Sequence, residues 1–216
     1  METERRAPAA ATTIPATLKV GRISVQPPFA GTSLVLRIDE LRYEVDPYNA
    51  FLASPSDLLG YQIALWLGGS GQFKAVRAPA SPLTGDYVLE GFVTELYGDA
   101  RSPQAPQAVL SLQIYLRRAG AAGGIVFERA YAERVAIDDA APETLVRGYG
   151  VALSRILGAL EHDLDALKPG RLARHGEPLR TRHTRHGSDC GSLPTAESTC
   201  APYTAMRRRP ASPGVT

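Results

Sequence analysis

Apolar residues recur along this chain with two periods, first about two and later about three and a half, and glycine or proline marks most of the changes. Leu18 and Val20 alternate with polar neighbours, and after Gly21 the alternation resumes out of phase at Ile23 and Val25. Such a phase change predicts a strand interrupted by a bulge, closed here by Pro27 and Pro28. Leu34, Leu36 and Ile38 alternate next, followed by Leu41, Tyr43 and Val45 with Arg42 and Glu44 between them. These read as half-buried strands, or as one long bent strand. Residues 87–97, 109–117 and 125–137 form three more strand candidates, separated by a polar loop and a glycine-rich turn. Leu110, Leu112, Ile114 and Leu116 share one face of the second, and Phe127 and Tyr131 share one face of the third. Short turns between consecutive strands favour antiparallel pairing. Phe73–Arg77 is a further short strand.

The period lengthens twice. Ser54 is a natural N-cap, Pro55 suits the first helical position, and Asp57 stands where it can complete a capping box. Leu59, Ile63, Trp66 and Leu67 then share a helical face flanked by Leu58 and Leu65, and Gly68-Gly69 ends it. Residues 43–67 therefore predict strand, corner and helix, with aromatic and aliphatic side chains facing inward. A long final helix covers about residues 142–167, where Leu145, Tyr149, Leu153, Ile156, Leu160 and Leu164 recur at three- and four-residue steps, with Asp139 as a candidate cap. Gly148, Gly150 and Gly158 weaken its intrinsic helicity, so packing on the sheet must compensate or the helix bends. The expected fold class is α+β: a single domain whose antiparallel β-sheet packs against two α-helices. It spans residues 18–167, between a flexible N-terminal lead (1–17) and a disordered, basic C-terminal tail (168–216).

Charge sharpens that division. The 216 residues hold 24 Lys and Arg against 22 Asp and Glu, a net of +2. From Lys168 onward stand nine of the bases and only three of the acids, so the tail is +6 and the preceding 167 residues are −4. Both cysteines, Cys190 and Cys200, fall in the tail, so the expected core needs no disulfide. No run of about 18 apolar residues predicts a membrane-spanning helix.

Several groupings suggest chemistry, and each has a plainer reading. Gly68–Lys74 resembles a phosphate cradle, but its glycines follow a helix instead of preceding one, which makes a C-cap and turn. It does not fit a nucleophile elbow either, because Gln72 stands at the closing glycine position. Asp138-Asp139 reads as a helix-capping pair. Glu161, His162, Asp163 and Asp165 read as a solvated polar face, and His162 has no second histidine in the domain with which to share a metal. In the tail, His183, His186, Cys190 and Cys200 are zinc-ligand types at spacings that match no finger; a Cys190–Cys200 disulfide ranks above zinc, and simple disorder above both. The tail arginines suit anionic lipid heads better than nucleic acid, since Tyr203 is the sole aromatic there for stacking. No catalytic, cofactor or metal site is expected.

Tyr48, Phe51, Leu52, Tyr61 and Trp66 read first as core packing; as the functional alternative they are the candidate contact residues for a partner or a lipid, on an apolar cleft between the first helix and the sheet. The wording of this region, LVLRIDELRYEVDPYNAFLASPSDLL, with LKVGRISV before it and LVRGYGVALSRILGAL after it, resembles the ABC-type transport auxiliary lipoproteins, the PqiC/YmbA-like family. The resemblance covers about residues 18–167. It implies a non-enzymatic auxiliary component of an MCE-associated ABC transport system for phospholipid or other hydrophobic molecules. The implied location is the periplasm or outer membrane of a Gram-negative envelope, and the implied partners are an ATPase and permease complex reached through an MCE-domain protein. Phospholipid is a further implied ligand, and no catalytic residues carry over. Where many relatives have Trp before the helix cap, Phe51 and Leu52 stand here. Relatives usually begin with a secretory signal and a lipidated cysteine. METERRAPAAATTIPATLKV reads as neither, which leaves a downstream start, a removed signal or an unanchored member. The alternative function is a stand-alone interaction module whose Arg-rich tail binds nucleic acid or another polyanion.

Overall fold

Among the described residues, seven strands form one mixed sheet, with two helices on one of its faces. The computed structural model describes residue 3, residues 13–120 and residues 123–167. The expectations for the tail, including disorder, membrane contact, and Cys190 with Cys200, lie outside these residues. Strand β1 (Ile14–Val25) leads through a single 3-10 turn at Pro27–Phe29 to the hairpin β2 (Ser33–Arg37) and β3 (Tyr43–Ala50). Helix α1 (Pro55–Ser70), strands β4 (Phe73–Arg77), β5 (Tyr87–Asp99), β6 (Gln107–Arg118) and β7 (Ile125–Ala136), and helix α2 (Pro142–Leu167) follow.

The α+β single domain with two helices matches expectation, but the sheet is not wholly antiparallel. The short-turn argument holds for β2–β3, β5–β6 and β6–β7. In contrast, β1 runs parallel to both β4 and β5, and β2 runs parallel to the end of β5. Between β1 and β4 lie the hairpin and α1, a crossover long enough for parallel pairing. Strand β5 is the hub. It pairs with β6 along its whole length, with β1 from Tyr87 to Val93, and with β2 only at Gly98 and Asp99.

The bulge expected at Gly21 is present: Val20 pairs with Leu89 and Ile23 with Gly91, so two residues of β1 oppose one of β5. Without it Val20 and Ile23 would face opposite sides, whereas both are buried. Gly91 admits Ile23, since a Cβ there would stand 3.0 Å from Ile23 Cδ1. Strand β1 starts at Ile14, not Leu18, because Ile14 and Ala16 are also buried and Ile14 N–H donates to Gln72 O (2.7 Å).

Helix α1 begins as expected, with Asp57 N–H donating to Ser54 Oγ (3.2 Å) and Pro55 in the first turn. Asp57 does not close a backbone capping box; its carboxylate accepts from the Ser54 hydroxyl (2.6 Å). The helix continues past Gly68-Gly69 to Ser70, because the residue that turns left-handed is Gly71, at φ 70°. Helix α2 is continuous over the expected range, and Asp139 accepts from Ala141 N–H just before it (3.1 Å). Helix α1 packs over β1 and β4, and α2 over β6 and β7.

Candidate functional site

The five candidate contact residues separate into three environments. Trp66 belongs to the core: it is buried, and its indole Nε1–H donates to Glu161 Oε2 of α2 (3.0 Å). Phe51 is half-buried against Tyr149 of α2, with ring centroids 6.4 Å apart. Tyr48, Leu52 and Tyr61 face outward. The expectation that the apolar side chains of residues 43–67 point inward therefore fails for Val45, Tyr48, Leu52, Tyr61 and Leu65. Periodicity identifies which residues share a face of a strand, but it cannot say whether anything covers that face.

The solvated reading of residues 161–165 also changes. Glu161 is buried, its carboxylate bonded to Trp66 and its backbone carbonyl accepting from Gln72 Nε2 (2.6 Å). Asp163 accepts from the Tyr131 hydroxyl (2.7 Å) and pairs with Arg129 of β7. Burial and the Asp163 carboxylate together push the Tyr131 hydroxyl well above its ordinary pKa of 10.0. A buried indole N–H needs an acceptor, and that was the available signal for Glu161. Among the described residues, no three His, Cys, Asp or Glu side chains gather as a metal site, and no helix is long and apolar enough to cross a membrane.

Two surface features remain. The first is a cleft of about 730 Å³ where the N-terminal turn of α1 meets the β1 bulge and the loop after β4. Arg22, Ile23, Asp57, Tyr61 and Pro79 line it. Lys19 fixes its far wall by donating Nζ–H to the carbonyls of Ala78 (2.8 Å), Pro79 (3.0 Å) and Ser81 (2.5 Å). Ser56 Oγ–H donates to the Ile23 carbonyl and closes the floor against the bulge. This cleft sits at the start of α1 and touches Tyr61 alone of the five candidates. Its charged walls, Arg22 and Asp57, carry opposite signs.

The second feature is the β2–β3 hairpin and the loop into α1. Leu41 and Tyr48 are 96% and 92% exposed and Leu52 wholly so, with Val45 more than half exposed between them. The hairpin is anchored at its root. On the sheet face away from the helices, Tyr43 meets Tyr97 edge-on (5.5 Å between centroids) and Phe29 stacks on Tyr97 (5.8 Å). Arg101 joins Asp99 (2.7 Å) to Glu40 of the hairpin (2.5 Å), and its guanidinium holds the Asp99 carboxyl below the usual carboxylate range. In β3, Val45 pairs with Val35 and Ala50 with Ser33, so four residues, 46–49, bulge opposite Leu34 alone. Asp46 braces the bulge by accepting from the backbone N–H of Tyr48 (2.8 Å) and Asn49 (2.9 Å) and from Asn49 Nδ2 (2.9 Å). Those two backbone N–H groups and the Asn49 amide hold the Asp46 pKa low.

No protein-family model matches the chain, and no curated protein matches it. Solved structures do. Protein XCC0632 from Xanthomonas campestris, described as a DUF330 protein, superposes with a TM-score of 0.64 over 76% of this chain and 96% of its own, at 17% identity. The chain shares the fold of a DUF330 protein. A second solved structure, of an uncharacterized protein, superposes with a TM-score of 0.59 over 71% of this chain and 96% of its own, at 16% identity.

Proposed function

We propose that this chain is a non-enzymatic auxiliary component of an ABC-type, MCE-associated transport system for phospholipid or another hydrophobic molecule in the bacterial envelope, acting by docking to the transport machinery. The DUF330 designation corresponds to the PqiC/YmbA-like family. The observation that carries the reading is the superposition on the DUF330 structure over nearly all of that chain, joined to the sequence resemblance in residues 18–167. The apolar side chains that the hairpin and its following loop hold in solvent, Leu41, Val45, Tyr48 and Leu52, support action by docking, because exposed apolar side chains grouped on one segment suit a partner's surface.

Affinity co-purification of the tagged chain from detergent-solubilised cells, read by mass spectrometry, tests it. Recovery of an ATPase, a permease and an MCE-domain protein is the expected result. A chain recovered alone, or with nucleic acid that high salt removes, would overturn the reading and favour the basic tail as the working part.

A further inference from the structure

Three features stand out: the cleft at the start of α1, the buried Trp66–Glu161–Gln72 cluster, and the hairpin with its following loop. The cleft is open, and its two charges oppose each other, so it selects no single ligand chemistry. The Trp66 cluster is closed to solvent and joins the two helices. The hairpin carries the argument furthest.

Its exposed apolar residues stand among carboxylates. Between Ser33 and Ser54 there are four acids, Asp39, Glu40, Glu44 and Asp46, against Arg37 and Arg42, a net of −2. Both arginines are already engaged, Arg37 with Glu40 (3.1 Å) and Arg42 with Glu44 (2.5 Å). Among the described residues no cation pairs with Asp39 or Asp46, which stand two residues from Leu41 and Tyr48 respectively. Anionic bilayers attract polybasic surfaces and repel acidic ones, and side chains that insert at membrane interfaces are usually backed by Lys and Arg. This charge pattern therefore selects against an anionic lipid surface.

The mode of contact also follows from the geometry. Strand β3 is a sheet edge, paired only with β2 among the described residues. Pro47 and the four-residue bulge interrupt that edge after three regularly paired residues, which blunts it against strand addition. Recognition must then run through side chains. The Asp46 turn holds the backbone at Tyr48 and Asn49 in place before any partner arrives, which lowers the ordering cost of docking.

We infer that Val45, Tyr48 and Leu52 form a preorganised apolar knob that seats in a recess on a protein partner, and that Lys or Arg side chains of the partner border this recess and meet the hairpin carboxylates. The inference rests on the docking function proposed above and names the surface and the partner chemistry.

Binding of the purified full-length chain to the MCE-domain protein of the same organism, measured by biolayer interferometry at low and high salt, tests it. Vesicles of phosphatidylethanolamine with phosphatidylglycerol serve as the second probe. The double variant Tyr48→Ser/Leu52→Ser should weaken protein binding about tenfold or more, since buried Tyr and Leu anchors carry interface energy of that order. Its urea midpoint should stay unchanged, because both side chains are exposed in the free chain. Asp39→Lys/Glu44→Lys should also weaken binding and remove most of its salt dependence. Full binding by both double variants would overturn the hairpin assignment while leaving the transport reading intact. Loss of vesicle binding in the Tyr48/Leu52 variant would assign the knob to lipid and overturn the protein recess. No binding of the unaltered chain to the MCE-domain protein would remove the transport reading, and this inference with it.

Discussion

Trp66 and Glu161 show how one buried pair can join two helices. The indole N–H of α1 needs an acceptor, and the carboxylate of α2 supplies it at 3.0 Å, away from water. Gln72 adds a second link through its amide, while its Oε1 is buried without a partner among the described residues. Trp66→Phe keeps an aromatic ring but takes one donor from a buried carboxylate, which costs about 1–3 kcal/mol. Urea unfolding should show that loss. If the pair acts as a unit, Glu161→Gln in the Trp66→Phe background should cost less than it does alone. Sequence showed Trp66 as a core position on its helical face, but not Glu161, whose burial depends on a partner 95 residues away.

At the scale of elements, the glycines of α2 separate intrinsic propensity from packing. The helix is unbroken although three glycines interrupt its sequence. At Gly148 a Cβ would lie 2.5 Å from Ala108 Cβ and 2.9 Å from Ile137 Cγ2, so α2 approaches β6 more closely there than any other residue allows. At Gly158 a Cβ would meet nothing within 4 Å. The same substitution should therefore have opposite signs at the two positions. Gly158→Ala should stabilise by up to about 1 kcal/mol through helix propensity. Gly148→Ala should destabilise by about 1–3 kcal/mol through overpacking against β6. Thermal midpoints of the two variants check this directly. The elements themselves were legible because each carries a local period and a local stop: the β1 bulge at Gly21, the Ser54-Pro55 start of α1, and the extent of α2. What sequence withheld is relational. Neither the parallel pairing of β1 with β5 nor the exposure of β3 leaves a local mark, since both depend on which distant strand arrives alongside. The candidate site shared that limit, with Tyr48 and Leu52 exposed and Trp66 in the core, although all three stand in one strand-corner-helix segment.

Across the whole molecule, the hairpin joins the rest of the sheet over a short stretch, and ion pairs reinforce the apolar packing of Leu34, Val35 and Tyr43 there. Strand β2 pairs with β5 at only two positions, Leu36 with Gly98 and Arg37 with Asp99. Asp99, Arg101 and Glu40 bind the same corner, and Arg134 approaches Asp99 at 3.6 Å. The hydrogen bonds from Arg101 depress the native Asp99 pKa. A depressed carboxylate contributes stability that is fully present above its unfolded value, about 3.9, and that is lost as pH falls through the native value. Asp46 follows the same sign, so acid also relaxes the turn beneath Tyr48. At the other extreme, Tyr131 and Tyr149 have pKa values raised above 10.0, largely by burial. Their hydroxyls ionise first in the unfolded chain, and stability declines as pH rises beyond about 10. The two limbs should differ in location. The acid groups hold the hairpin corner, whereas Tyr131 and Tyr149 lie between the sheet and α2, so acid should loosen the hairpin before the core and alkali should act on the core as a whole. Hydrogen-exchange protection factors below about pH 4 should fall first in residues 33–50, with residues 87–118 still protected. Asp99→Asn should show the same loss of hairpin protection already at neutral pH. If protection instead falls together across both regions, the Asp99 corner is not what holds the hairpin to the sheet.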